Sequence, residues 1–139
     1  MIEERVLPDA NAVEYVSLDE ALVLYAEIRG LTREAVAAAI RDISLLDSAL
    51  TRPINAAHYA AADLAEQAAT LLWGIAENQP FIDGNKRIAL VITLTFLEVN
   101  GLSLEMSDDE KVQLMTDISG DKTVAQVAGL FRQRLRALA

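Results

Sequence analysis

The residues of this chain best suited to chemistry sit together in one stretch, Asn78-Gln-Pro-Phe-Ile-Asp-Gly-Asn-Lys-Arg87. Gly84 permits a tight turn, and the residues after it keep helical spacing, so the segment reads as a loop running into a helix N-terminus. The free N–H groups at such a terminus carry partial positive charge. Lys86 and Arg87 fall in the first turn, where each cation opposes the macrodipole by about 0.3–1 kcal/mol. An anion seated at the helix start would account for that placement. Backbone N–H groups from Gly84 onward, with Asn85, Lys86 and Arg87, would then form a phosphate cradle. Asp83, just before them, is a hard oxygen ligand suited to Mg2+ held against the same phosphates. A plainer arrangement uses the same residues: a solvated helix entry in which Asp83 caps the helix and pairs with Lys86 or Arg87. The dipole magnitude alone does not choose between the two.

The elements that must hold this loop can be read from helix punctuation. Ser17-Leu-Asp-Glu20 is a capping box, followed by helical apolar spacing at Leu18, Leu22, Tyr25 and Ile28 up to Gly30. Thr32 caps a short second helix through Ile40. Asp42 or Ser44 starts a third, which is expected to stop before Arg52-Pro53 because the residue before proline is pushed out of the α region. Residues 53–60 then read as a loop or extended flap. A fourth helix from about Ala61 to Glu77 buries Leu64, Ala68, Leu71, Leu72 and Ile75, with Trp73 at the edge of the stripe. The fifth, from about Asn85 to Val99, is apolar nearly all round and stops at Asn100-Gly101, the pattern of a helix buried among others. Ser107-Asp-Asp-Glu110 opens a sixth helix ending at Gly120, and Thr123 caps a last one carrying Val124, Val127, Leu130, Phe131 and Leu135.

This outlines a single all-α domain over residues 1–139, a helical bundle around a buried central helix. The composition agrees: 53% apolar, 24% charged and 5% aromatic residues are globular and favour helix over sheet. A formal charge of −9 disfavours nucleic acid or an anionic membrane as partner. The chain has no cysteine and one histidine, His58, which rules out disulfides, thiolate metal sites and a His-rich zinc site. The N-terminal stretch MIEERVLPDANAVEYVS lacks the basic and apolar regions of a secretory signal, and no apolar run is long enough to span a membrane. A cytoplasmic location is therefore expected.

NQPFIDGNKRIAL resembles the Fic/Doc signature H-x-F-x-[D/E]-G-N-[G/K]-R, matched here by Phe81, Asp83, Gly84, Asn85, Lys86 and Arg87. YVSLDEAL, IRDISLLDSALTRP and FLEVNGLSLEMSDDE resemble the death-on-curing branch of that family, so the similarity extends over nearly everything from Tyr15 onward. The resemblance implies a helical Fic/Doc fold and ATP-dependent transfer to a protein hydroxyl. Fic-type members typically transfer AMP, whereas the death-on-curing type phosphorylates elongation factor Tu of the translation machinery. Lys86 in place of the usual glycine, and Leu90 where AMP-transferring members often carry a second arginine, favour phosphate transfer. By the same resemblance Asp83 would hold Mg2+, and Gly84, Asn85, Lys86 and Arg87 would bind the phosphates of ATP. Asp83 and Arg87 would thereby serve catalysis, and Phe81 would be a core residue fixing the loop. It further implies a toxin–antitoxin module, with a cognate antitoxin acting in trans, since the chain has no stretch resembling the [S/T]-x-x-x-E-[G/N] inhibitory helix.

The departure is Gln79, which stands where the family has its catalytic histidine. A neutral amide accepts a hydrogen bond but takes no proton near pH 7, and losing a general base commonly costs about 10²–10⁴ in rate. The expected enzyme is therefore a severely impaired transferase. A non-catalytic nucleotide- or protein-binding module that keeps the anion site is the alternative. His58, the other candidate base, reads as a surface residue without a site role. Arg52 matches a family position near the flap and is either a substrate-orienting residue or one half of an ion pair. Glu66 and Glu77 read as solvated, and Arg132, Arg134 and Arg136 as cations of the last helix.

Overall fold

Local capping chemistry lays out most of the chain in the computed structural model, which describes residues 12–138. The N-terminal stretch up to residue 11, read above as non-secretory, lies outside the described residues. Helix α1 (Leu18–Arg29) opens with the Ser17–Glu20 capping box and ends at Gly30 in the left-handed region. The Thr32 side chain caps α2 (Arg33–Ala39), and that of Asp42 caps α3 (Ile43–Ala60). Asp63 caps α4 (Leu64–Asn78), and Gly84 precedes α5 (Asn85–Val99). Capping boxes at Ser107 and Thr123 open α6 (Asp108–Asp117) and α7 (Val124–Arg134). The outcome is all-α, as the sequence implied, apart from a two-stranded ribbon of β1 (Leu102–Leu104) and β2 (Leu135–Ala137).

That ribbon corrects the last helix. Leu135 and Arg136 leave the helical period and pair antiparallel with β1, Leu104 opposite Leu135 and Ser103 opposite Arg136. Pairing buries Leu102, Leu104 and Leu135 on the core side. The second correction is larger. The third helix does not stop at Arg52, and residues 53–60 are neither loop nor flap: α3 runs straight through Pro53. Its buried positions Leu46, Ala49, Leu50 and Pro53 keep one helical stripe, i, i+3, i+4 and i+7. An interior proline costs about 3 kcal/mol, yet burying this stripe against α4 outweighs a local preference.

The centre is shared by two helices. α5 is buried through Ile88, Ala89, Ile92, Thr93, Phe96 and Leu97, while α4 packs against α3, α5 and α7 at once. Gly74 lets α3 close on α4, since a Cβ there would lie 3.0 Å from Arg52 Cδ and 3.4 Å from Ala49 Cβ. Buried polar groups are few and partnered. Gln67 accepts from the Tyr15 hydroxyl and donates to the Ala62 carbonyl, and Thr93 donates to Ala89. Glu66 and Glu77 are exposed, as expected, and each also meets an arginine at the surface, Arg132 and Arg52. Asn100 closes α5 by accepting from the Glu14 N–H and donating to the Glu14 and Phe96 carbonyls, tying the start of the described chain to the end of the central helix.

Candidate functional site

The site begins where α4 ends. Gln79 caps that helix at φ 48°, ψ 61°, a left-handed conformation costing a non-glycine residue roughly 1–2 kcal/mol. Its N–H still reaches the Ile75 carbonyl at 3.1 Å. Arg41 supports the turn from outside: its Nε and Nη2 donate to the carbonyls of Gln79 and Asn78, both at 2.7 Å. These are the carbonyls a helix end leaves without partners. The Asn78 side chain is fixed as well, donating to the Leu45 carbonyl and accepting from Arg52 Nη2. Arg52 thus bonds both Glu77 and Asn78, which is the ion-pair role of its two alternatives.

From Gln79 the chain runs antiparallel to the α2–α3 connection. The Pro80 carbonyl accepts from the N–H groups of Arg41 and Asp42, and the Ile82 N–H donates to the Ala39 carbonyl. Ile40 and Phe81 face each other between these bonds as a one-residue bridge. Strand geometry alternates, so the N–H and C=O of Phe81 point the other way. The Asn85 side chain takes both, accepting from the Phe81 N–H and donating to the Phe81 carbonyl, each at 2.9 Å. The Phe81 ring is buried and lies flat on Tyr25, centroids 3.7 Å apart. The Tyr25 hydroxyl in turn donates to the Asp83 carbonyl at 2.8 Å. Burial pushes the Tyr25 phenol above its usual pKa; the charge of Arg29 opposes that shift and the charge of Asp83 adds to it.

Asp83 turns its carboxylate toward α1, where Oδ2 meets Arg29 Nη2 at 2.9 Å, with its side chain 67% exposed. Gly84 has φ 78°, and α5 starts there without any side-chain cap. Lys86 and Arg87 are exposed and form no ion pair among the described residues. The outcome is an open, cationic helix start beside a carboxylate. Gln79, Asp83, Gly84, Asn85, Lys86 and Arg87 therefore belong to one short, firmly held segment. Asn85 is a special case: its amide is used up on Phe81, so at the helix start it offers only its main-chain N–H. The Gln79 side chain is exposed and makes no hydrogen bond among the described residues.

His58 is not near this loop. It lies on the exposed side of the last turn of α3, thirteen residues beyond Leu45, whose carbonyl marks the Asn78 end. At 1.5 Å per residue that is about 20 Å along α3 from Leu45. Sequence reasoning missed three supporting residues, Tyr25, Arg29 and Arg41. Each belongs to α1 or to the α2–α3 connection, and no local pattern joins them to the motif.

The donor set bears on metal binding. Asp83 is a single exposed carboxylate, and no group of three or more acidic or histidine side chains suited to a metal exists among the described residues. A lone carboxylate at a helix start would suit Mg2+, which keeps several waters and binds through one or two carboxylates plus substrate phosphates. It does not fit a cation held by protein alone. A separate cleft of about 510 Å³ lies between α1 and α2, lined by Leu22, Val23, Ala26, Leu31 and Val36, and none of residues 79–87 reaches it.

The loop is thus braced from α1, from the α2–α3 connection and by its own Asn85, and it opens onto an uncapped, cationic helix start. Residues 15–97 match the family model described as Fic/DOC family, and the chain belongs to that family. It is also 35% identical over 99 residues to Toxin Doc of Mycolicibacterium smegmatis (strain ATCC 700084 / mc(2)155), a match covering 65% of this chain and 76% of the relative. No described helix is long and apolar enough to cross a membrane.

Proposed function

We propose that this protein is a Doc-like toxin of a toxin–antitoxin module, restrained by an antitoxin in trans. Its site binds ATP with Mg2+ and is built for phosphate transfer to a hydroxyl of a translation protein such as elongation factor Tu. The observation that carries this reading is the start of α5, uncapped, with Lys86 and Arg87 exposed and unpaired among the described residues and Asp83 beside them. Triphosphate oxygens would complete the N–H groups and both cations together. Mg2+ held at Asp83 would neutralise charge on the transferring phosphoryl group.

The chemistry asks little covalent work of the chain. The acceptor hydroxyl oxygen bonds to the γ-phosphorus, the bond to the β–γ bridging oxygen breaks, and ADP departs. The hydroxyl proton needs an acceptor, and the Gln79 amide supplies none. Positioning and charge stabilisation remain, so transfer is slow rather than forbidden. Phosphate is favoured over AMP because Lys86 and Leu90 replace the glycine and second arginine that resemble the AMP-transferring pattern. Gln79 also motivates the second reading, a binding module that holds ATP–Mg2+ and its protein partner without turnover.

The test uses the unaltered protein and Gln79→His, incubated with Mg2+ and ATP labelled at the α or the γ phosphate, with elongation factor Tu and a cell extract as acceptors. Label from γ, raised about 10²–10⁴-fold by Gln79→His, is the expected result. Label from α would overturn phosphate transfer. ATP binding without label in either protein would establish the binding module.

A further inference from the structure

Asp83 lies two residues before α5, whose first turn carries the cations Lys86 and Arg87. It bonds neither. Its carboxylate goes instead to Arg29, fifty-four positions away in the chain. Two successive turns of α1 grip the same residue, Tyr25 through the Asp83 carbonyl and Arg29 through the Asp83 side chain. The guanidinium also lies along the entry to α5, since a Cβ on Gly84 would come within 3.4 Å of Arg29 Nη1. Its contact with Asp83 is a single one, and no other hydrogen bond holds it among the described residues. Arg132, by contrast, is held by two bonds to Asp63 and one to Glu66. Arg29 therefore has the features of an exchangeable counter-ion: one contact, a partly exposed side chain, and a place beside both the carboxylate and Gly84 at the start of α5.

We propose that Arg29 stands in for the divalent cation at Asp83. It neutralises the carboxylate when no metal is bound, keeps it off Lys86 and Arg87, and gives it up when a metal arrives. The proposal rests on the ATP–Mg2+ reading of the site. A bare Asp83 beside the phosphates, in a chain of net charge −9, would repel a triphosphate; with Arg29 in place that repulsion is cancelled without metal. The unaltered protein should then bind ATP with little dependence on Mg2+, and the dependence should appear once the guanidinium is removed.

Calorimetric titration with ATP, in EDTA and in excess Mg2+ at low ionic strength, decides the matter. For the unaltered protein the two affinities should agree within about threefold, whereas Arg29→Gln should lose about tenfold or more in EDTA and recover in Mg2+. Arg29→Lys keeps the charge and should stay close to the unaltered protein. Adding Asp83→Asn to Arg29→Gln should abolish the metal dependence, because no carboxylate is left to neutralise. Equal Mg2+ dependence in Arg29→Gln and the unaltered protein would overturn the proposal, as would an equal loss in both buffers, the mark of a purely structural role. ATP binding by the unaltered protein only with Mg2+ would overturn the stand-in and leave the ATP site intact. No ATP binding in either buffer would sink both.

Discussion

Replacing Asn85 by alanine tests how the motif loop is held. The Asn85 amide makes two bonds of 2.9 Å to the N–H and C=O of Phe81. Neighbouring loop groups are already used, Pro80 and Ile82 pairing with the α2–α3 connection on the opposite edge. Removing the amide therefore strands both Phe81 main-chain groups beside a ring that is 1% exposed. Each bond is worth about 1 kcal/mol net, and each stranded group costs about 1–3 kcal/mol, so a loss of about 3 kcal/mol is expected for Asn85→Ala. For a chain of this length that lowers Tm by roughly 10 °C. Asn85→Asp keeps the acceptor for the Phe81 N–H and adds a charge favoured at a helix start by about 0.3–1 kcal/mol, so its loss should be nearer 1 kcal/mol. Urea unfolding of the three proteins, compared at constant m, gives the values directly. A loss under about 0.5 kcal/mol for alanine, or aspartate worse than alanine, would refute the clamp.

Tyr25→Phe keeps the stack on Phe81 and loses the 2.8 Å bond to the Asp83 carbonyl; a drop of about 1 kcal/mol in urea unfolding is expected. Gly84→Ala and Gly101→Ala place a Cβ at φ 78° and 79°, but only Gly84 has neighbours within reach. Both should cost about 1–2 kcal/mol through the left-handed backbone alone, because the neighbours of Gly84 lie at ordinary contact distance, and a much larger drop in melting temperature for Gly84→Ala would contradict that spacing. Glu110 is held down to about 2, first by its hydrogen bond from Arg134 and then by the Ser107 N–H. Its folded pKa lies below its unfolded one, so it stabilises the fold above about pH 4.5 and this is lost as pH falls toward about 2. Glu110→Gln should flatten that part of the acid-unfolding profile, and an unchanged profile would remove the Arg134 pairing from the account.

What could be read from the sequence was what is local. Ser17, Ser107 and Thr123 each find their partner three residues on, so three helix starts were legible from spacing. The motif loop was legible because Gly84 and the residues after it are contiguous. The misses share one cause, forces acting between distant segments. Pro53 reads as a helix stop until α4 covers its stripe, and Leu135 reads as the end of a helical period until β1 offers it a strand edge. The braces of the site were hidden for the same reason: Arg41 looks like an ordinary linker cation, and Arg29 like a cation at a helix C-terminus. No spacing rule links either one to residues some forty or fifty positions later.

The same separations set an order of events during synthesis. Tyr25, Arg29 and Arg41 leave the ribosome well before Asn78 to Asp83, the residues they hold. α4 gains one of its packing faces only when α7 arrives, and β1 waits for the last described residues of the chain. A nascent chain that exposes the motif therefore already carries these braces and lacks only the α7 face of α4 and the partner strand of β1, and native contacts this remote in sequence form late. The motif loop and its braces can thus meet before the bundle beneath them is complete, so the loop is seated first and its support on α4 closes last.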